Sequence, residues 1–482
     1  MAVGPADIET IDGWDPAPGS VVSWHASAAS REKAQQAPVS TVPISYMQAQ
    51  HLRGYVEQKA KGLDYSRLLI VSCDLQGQCD IRAMTYVINS HLRRHDTYRS
   101  WFEYRDAGHI VRHAMTDSAR INFKPTKHGE LSAEQIRELA LSTPDPLQWD
   151  CFSFGVIQYA DRFTVYLSVD HLHMDATFVG MALMEMYMMY FALVSGGPPL
   201  TLPPAGSYES FCVRQDRHLA ELTAESPKVA AWTEFARNNR GSFPDFPLPL
   251  GDPLVPCVVE VITVPVMDEQ QMTQFESACV GAGARFIGGM LACIGQAEHE
   301  LTGAQTYYGL TPSDTRSATE DFSTMGWFTG LIPITIPIAG IPFGEVARTA
   351  QHAFDTGRNM VDVPFYKVLD LVPDLEWPRP NFAVVNYLDA GAPPLNALLT
   401  SDLEGMNLGI YADGRYSYQL TVFVVRLDKQ TAITAVFPKN PEARESITRY
   451  IAAVQSHCLQ VIEDHATRSP RSGAQSAALA PS

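Results

Sequence analysis

The stretch that decides the fold is residues 163–194, FTVYLSVDHLHMDATFVGMALMEMYMMYFALV. Phe163 to Val169 is almost wholly apolar or β-branched, which predicts a buried strand. Thr177 to Val194 is apolar over a length that suits a helix, and the glycine pair Gly196-Gly197 predicts where that helix ends. The chain therefore passes from a strand to a helix through the polar segment Asp170-His171-Leu172-His173-Met174-Asp175.

The same order of strand and helix is predicted nearer the N-terminus. Leu68 to Asp74 (LLIVSCD) predicts a strand, and Ile81 to Arg94 carries apolar residues at helical spacing. In the second half we predict a helix at Ala284–Leu301, an extended segment at Leu331–Ile338, and strands at Ala383–Asn386 and Leu420–Val425. Strands that alternate with helices favour an α+β (mixed α/β) fold class.

The length of the chain and one Pro/Gly-rich stretch predict its domains. At 482 residues the chain is too long for one ordinary core. The stretch Gly196 to Gly206 follows a predicted helix and is the best candidate for a boundary. We therefore predict an N-terminal domain at 1–205, a C-terminal domain at 206–467, and a disordered Ser/Ala/Pro-rich tail at 468–482.

Composition excludes several classes of function. With 36 basic and 53 acidic side chains, the net charge of −17 would repel nucleic acid. The acidic N-terminus lacks the apolar core of a signal peptide. The longest apolar run, Phe178 to Val194, contains Glu185 and is shorter than the ~20 residues of a membrane helix. The eight scattered cysteines are typical of buried thiols. We therefore expect a cytoplasmic protein with no membrane-spanning segment.

Basic residues in the first hundred positions offer a local site for an anionic carrier despite the overall charge. They are Arg53, Lys59, Lys61, Arg67, Arg93 and Arg94. Coenzyme A or the arm of a carrier protein is the kind of ligand that such a group would attract. The alternative is that these are ordinary solvated side chains on helix faces.

His171 is the first candidate for catalysis because it lies where a buried strand gives way to a helix, a place where side chains often enter a cleft. A histidine there can act as a general base near neutral pH. Asp175 can fix the loop through a salt bridge or cap the following helix. A His-x-x-x-Asp pattern alone also fits a hydrogen-bonded histidine in the core and an ordinary helix cap.

A metal site is a second interpretation of the same segment. His171, His173 and Asp175 alternate, so an extended backbone would bring them to one side, as in a His-x-His-x-Asp metallohydrolase. The downstream histidines show no grouping that would supply further ligands. The chain has no Gly-x-Ser-x-Gly elbow and no Gly-Lys-Ser/Thr phosphate loop. Direct attack by an acceptor on an acyl donor, with a base and no covalent nucleophile, is the chemistry that remains.

Six segments, in this order, carry a resemblance to a known family. They are Ser45-Tyr46-Met47-Gln48-Ala49, Arg94 to Phe102 (RHDTYRSWF), Asp170 to Ala176 (DHLHMDA), Tyr208-Glu209-Ser210-Phe211, Gly326-Trp327-Phe328-Thr329 and Val363-Pro364-Phe365. They resemble the successive motifs of the condensation-domain superfamily of acyltransferases, whose active-site motif is His-His-x-x-x-Asp-Gly. Asp170 replaces the first histidine of that motif and Ala176 the glycine, while His171 and Asp175 match.

A closer likeness is to the mycobacterial polyketide-associated (Pap-type) acyltransferases that esterify trehalose. The stretches that carry it are 45–67, 91–102, 144–155 and 326–336. The resemblance implies two domains of chloramphenicol-acetyltransferase type, arranged as a V-shaped pseudo-dimer with a central channel. It implies that donor and acceptor reach His171 from opposite faces. It also implies no cofactor and no metal, with acyl-CoA or a carrier-bound acyl thioester as the co-substrate.

The resemblance also implies roles for individual residues. His171 is expected to be the base, and Asp175 to be structural through a salt bridge to Arg316. For Arg316 the alternative is an ordinary surface arginine in a loop. Trp327 and Thr329 are expected to line the substrate channel.

The expected acceptor is trehalose or a trehalose glycolipid, and the expected donor carries a long-chain acyl group such as palmitoyl. Partners implied by the resemblance are a polyketide synthase or a lipid transporter, at the inner face of the plasma membrane. A non-catalytic scaffold that binds acyl carriers is a further alternative, beside the metal-dependent hydrolase. The methionines of the long apolar helix suit either a lipid channel or plain core packing.

Overall fold

The computed structural model describes residues 8–65, 67–252, 255, 257–379, 382–389, 391, 406–417 and 420–468. Within them the strands are β1 (Ile8–Thr10), β2 (Gly19–Ala26), β3 (Leu68–Gln76), β4 (Ser100–Asp106), β5 (His109–Ala114), β6 (Phe123–Leu131), β7 (Phe152–Gln158), β8 (Arg162–Asp170), β9 (Cys257–Asp268), β10 (Thr306–Asp314), β11 (Thr329–Pro337), β12 (Ala383–Asp389), β13 (Gly409–Ala412), β14 (Tyr416–Ser417), β15 (Leu420–Arg426) and β16 (Gln430–Pro438).

The helices of the same described residues are α1 (Ala28–Gln35), α2 (Tyr46–Ala60), α3 (Ile81–Arg94), α4 (Ala133–Leu141), α5 (Ala176–Val194), α6 (Tyr208–Ala220), α7 (Pro227–Asn238), α8 (Glu269–Gly281), α9 (Phe286–Thr302), α10 (Phe343–Gly357), α11 (Phe365–Leu371) and α12 (Pro441–Arg468). Strands and helices alternate along much of the chain. The predicted mixed α/β class is therefore confirmed.

Two large sheets organise the molecule into two lobes. The sheet of the first lobe has the strand order β1-β13-β3-β8-β7-β2-β6, and that of the second β11-β10-β12-β15-β16-β9-β14. In the first lobe, α3 and α5 cover a core rich in aromatic residues, including Trp24, Phe123, Phe152 and Phe154. In the second lobe, α9, α10 and α12 cover the sheet.

One strand of the first sheet comes from the C-terminal half of the chain. β13 inserts between β1 and β3, parallel to β1 and antiparallel to β3, with Tyr411 opposite Ile70. Asp413, directly after it, accepts a hydrogen bond from the backbone N–H of Leu68 at 2.9 Å. A four-residue strand is too short to show a pattern in sequence, so the division at residue 205 did not include it. That division stays a prediction, and residues 469–482 of the predicted tail lie outside the described residues.

Helix α5 has the length and composition of a membrane helix. Within the described residues, Thr177–Val194 is long and apolar enough to cross a bilayer, and α8 and α9 pass the same test only as a pair bent by 93°. The core helix of a soluble protein can pass the same test, so the expectation of no membrane-spanning segment stays a prediction. In the fold, α5 packs in the core of the first lobe, where Met186 and Met189 are buried.

Candidate active site

The turn that carries His171 is fixed from three sides. Strand β8 ends at Asp170, and residues His171–His173 form a 3-10 turn before α5. The backbone N–H of His171 donates to the carbonyl of Arg67 at 2.8 Å. From α2, the Gln48 amide donates to the Leu172 carbonyl at 2.9 Å. These bonds hold the turn at the C-terminal end of β8, a central strand of the first sheet, where the next helix begins.

The imidazole of His171 lies against a residue of the second lobe. Its ring centroid is 4.2 Å from that of Trp327, at an interplanar angle of 40°. His171 is partly exposed, while its Nδ1 atom is buried without a hydrogen-bond partner among the described residues. Burial lowers the pKa of His171 to about 4, and the charges of Arg67 and His51 act in the same direction. The ring is therefore neutral near pH 7, the state that a general base requires.

His173 faces away from this contact. It is fully buried, with Nδ1 at 2.9 Å from the Thr97 hydroxyl and its ring near Tyr98 and Phe152. Burial lowers its pKa to about 4 as well. His173 therefore serves as a packed residue of the first lobe, and its position is set by the core rather than by the exposed side of the turn.

Asp175 both caps a helix and joins the two lobes. Its Oδ1 accepts from the backbone N–H of Phe178 at 2.9 Å, which caps α5. Its Oδ2 accepts from Arg316 Nη1 at 2.9 Å and from the backbone N–H of Phe328 at 3.1 Å. The sequence left a choice between a helix cap and a salt bridge, and the structure shows both at once. Asp175 is nearly fully buried.

Arg316 is a buried residue and not a surface arginine. Besides Asp175 it contacts Asp314, with Nη1 and Oδ1 3.3 Å apart, and it donates to the carbonyls of Asp321 and Thr324 at 3.1 and 3.3 Å. Its guanidinium lies 4.2 Å from the ring centroid of Phe328. Most of its donors are thus occupied, which is what a buried guanidinium requires.

The segment 326–329 depends on a glycine. Gly326 has φ of +156°, and a Cβ there would lie 2.2 Å from the ring of Tyr208 on α6. The Tyr208 hydroxyl donates to the Trp327 carbonyl at 3.1 Å, which holds Trp327 over His171. Thr329 begins β11 opposite Asp314. Trp327 thus lies against the imidazole, and the expectation that Thr329 lines the substrate channel stays a prediction.

The metal interpretation of His171, His173 and Asp175 lacks convergent geometry. Their side chains meet Trp327, Thr97 and Arg316 respectively, so their ligand atoms point to different partners. Among the described residues, the three that bring such atoms within 4.8 Å of one another are His91, His95 and Glu185. There the carboxylate already binds Arg94 at 3.0 Å and both imidazoles, at 3.2 and 2.9 Å.

The basic residues proposed for an anionic carrier all have partners within the chain. The partners are Ala107 for Arg53, Asp145 for Lys59, Glu57 for Lys61, Tyr65 for Arg67, Ile121 for Arg93 and Glu185 for Arg94. A carrier would have to share or displace these contacts. Binding of coenzyme A or a carrier arm at these residues stays a prediction.

A known protein family matches most of the chain, including the residues of the candidate site. The profile of the condensation-domain family matches residues 40–472. This chain belongs to the condensation-domain family. The match covers both lobes, His171, Asp175 and Arg316, so the sequence motifs were assigned to the right family.

Within the condensation-domain family the chain is similar to Pap-type acyltransferases. It is 60% identical over 463 residues to acyltransferase PapA3 of Mycobacterium tuberculosis, with 96% of this chain and 98% of the relative covered. It is 56% identical over 461 residues to 2'-acyl-2-O-sulfo-trehalose (hydroxy)phthioceranyltransferase PapA1 of Mycobacterium bovis, covering 96% and 90%. The expected likeness to this group is confirmed.

A solved structure of PapA2 acyl transferase shows the same fold. It matches with a TM-score of 0.92 and 49% identity over 95% of this chain and 100% of that one. The curated relative of that name is trehalose-2-sulfate acyltransferase PapA2 of Mycobacterium bovis, 51% identical over 452 residues, 93% of this chain and 96% of the relative. The condensation-domain fold with two chloramphenicol-acetyltransferase-like lobes is thereby confirmed, and the protein is an O-acyltransferase.

Proposed function

We propose that His171 is the general base of this acyltransferase. The observation that carries the proposal is the neutral, partly exposed imidazole on a fixed turn, with Trp327 of the second lobe against it. His171 takes the proton of an acceptor hydroxyl as the hydroxyl oxygen attacks the carbonyl carbon of an acyl thioester. The tetrahedral oxyanion then collapses, the carbon–sulfur bond breaks, and the thiolate takes the proton from the imidazolium.

Trehalose, or a glycolipid built on it, is the acceptor that we propose. The relatives support this choice, because PapA1 and PapA2 are named for acylated and sulfated trehalose and each is more than half identical to this chain. The proposed donor is a long-chain acyl thioester, such as palmitoyl-CoA or a carrier-bound chain. No cofactor takes part in the proposed reaction.

The proposed setting is cell-envelope acyltrehalose biosynthesis at the inner face of the plasma membrane. The reaction there would use chains made by a polyketide synthase, and a lipid transporter would remove the product. The support is the likeness to PapA1, whose name pairs acyl transfer with an acylated sulfo-trehalose.

Product analysis tests the donor and the acceptor together. With palmitoyl-CoA, we expect mass spectrometry to show a palmitoyl ester of trehalose or of trehalose-2-sulfate, each offered separately. The His171→Ala protein under the same conditions is the blank. Absence of an ester with both acceptors would exclude them, and faster turnover with acetyl-CoA than with palmitoyl-CoA would exclude a long-chain donor.

The low pKa of His171 predicts the pH dependence. A base is active when deprotonated, so activity should fall as the pH drops through about 4 and should be flat between about pH 5.5 and 8. The measurement is kcat/KM from pH 5 to 8 under buffer conditions where circular dichroism shows a folded protein. A rise in kcat/KM with a midpoint near 6.5 would show an ordinary histidine in the free enzyme and contradict the buried environment described above.

A further inference from the structure

Directly before His171, a buried hydrogen bond between two side chains links the turn to helix α2. His51 Nε2 lies 2.7 Å from Asp170 Oδ1, and both side chains are fully buried. The same Oδ1 accepts from the backbone N–H of Leu172 at 2.9 Å. Asp170 Oδ2 and His51 Nδ1 are buried without hydrogen-bond partners among the described residues. A buried carboxylate with one imidazole partner is costly, which points to a use beyond stability.

We propose that His51 and Asp170 form a positioning pair in which His51 holds Asp170, and Asp170 orients the turn of His171 and stabilises the protonated imidazole during acyl transfer. This inference rests on the proposed role of His171 as the base. Asp170 stands where the family motif carries its first histidine. In this chain the histidine that faces the position comes instead from α2, 119 residues away in sequence.

The first contribution of the pair is geometric. Helix α2 holds the His171 turn through two side chains that lie three residues apart on the helix. Gln48 donates a hydrogen bond to the Leu172 carbonyl, and His51 is hydrogen-bonded to Asp170. The ring of His51 also meets Trp327 edge-on, with centroids 5.8 Å apart. Trp327 in turn lies on His171. The pair therefore fixes both the backbone below the imidazole and the aromatic ring beside it.

The second contribution is electrostatic. Burial would raise the pKa of the Asp170 carboxyl, but the charge and hydrogen bond of His51, the Leu172 N–H and the charge of His173 together hold the pKa below its usual value. The carboxylate is thus ionised. When His171 takes a proton, an imidazolium forms in a buried place, and the charges of Arg67 and His51 disfavour it as well. The negative charge of Asp170 acts in the opposite direction.

Other charges near Asp170 do not replace this effect. Those that interact with it are His51 on α2, His173 on the same turn, Arg67 before β3, and Asp413 after β13. Burial raises the pKa of Asp413 to about 6, so its carboxyl is partly protonated near that pH. Asp170 is the acid adjacent to His171 in the chain.

The variant Asp170→Asn tests the pair. Its amide oxygen can still accept from Leu172 and His51, so the change removes the charge with little change of shape. In single-turnover acyl transfer we expect the rate constant to fall about 10-fold or more. In steady-state assays we expect the KM of both substrates to change less than about two-fold. The amplitude of the turnover reports the fraction of active protein. A merely structural role would lower that amplitude and leave the rate unchanged, which would overturn the proposal.

Control variants separate this proposal from the role of His171. Asp413→Asn removes another buried carboxyl of the same lobe, and its rate should stay within about two-fold of the wild type. His51→Gln keeps an N–H donor towards Asp170 and should lower the rate as well, so it decides the outcome where Asp170→Asn does not fold. If His171→Ala is inactive while Asp170→Asn reacts at the normal rate, the proposed pair is refuted but the role of His171 as the base is not. An active His171→Ala refutes the base itself.

Discussion

Replacing His171 with alanine is expected to lower kcat by about 10²–10⁴-fold and to change the free energy of unfolding by less than about 1 kcal/mol. The large kinetic effect follows because the variant has no group to accept the hydroxyl proton. The small stability effect follows because the imidazole is partly exposed and makes no hydrogen bond that is described in the structure. The rest of the turn stays held by Arg67 and Gln48 through backbone atoms.

Steady-state kinetics with palmitoyl-CoA and urea unfolding of the same preparation measure both quantities. Near-normal turnover by folded His171→Ala protein would show that another group is the base. Metal analysis of the wild type adds an independent check, because a metallohydrolase would carry about one zinc per chain and lose activity with a chelator.

The second large effect is expected at the contact between the lobes. Asp175→Ala should destabilise the protein by about 3 kcal/mol, because it leaves the buried guanidinium of Arg316 without its carboxylate partner in the first lobe. It also removes the cap of α5 and the acceptor for the Phe328 N–H. The remaining contact of Arg316 with Asp314 limits the loss.

Asp314→Ala is the matched control for this experiment. Its carboxylate meets the same guanidinium but is 44% exposed, so we expect a loss of less than about 1 kcal/mol. Urea unfolding gives both values, and activity is compared per folded molecule. An Asp175→Ala protein that is as stable as the wild type and yet inactive would assign Asp175 a direct part in the chemistry.

Local patterns predicted the main elements of the fold well. The helix predicted at Ile81–Arg94 has the bounds of α3, and the predicted strand Phe163–Val169 lies within β8. The predicted extended segment Leu331–Ile338 overlaps β11 but begins two residues late, since Gly330 weakens the apolar signal there. Such elements are predictable because their burial repeats with a short period along the chain.

The contacts of the candidate site were predictable only in part. The resemblance implied the pairing of Asp175 with Arg316, and the structure brings them together. The pairing of His51 with Asp170 had no signal, because 119 residues separate the partners and neither has a motif of its own. The departure of Asp170 from the family motif was visible in sequence, and a search for a compensating histidine could have started from it.

The strand β13 has a practical consequence for protein engineering. Because β1 pairs within the described sheet only with β13, a fragment that stops at residue 205 leaves β1 without a partner and exposes an open backbone edge on β3. Chimaeras that exchange N- and C-terminal halves between related enzymes should therefore carry residues 409–412 with the N-terminal half. A chimaera with a single junction near residue 205 would build its first sheet from the strands of two different parent enzymes.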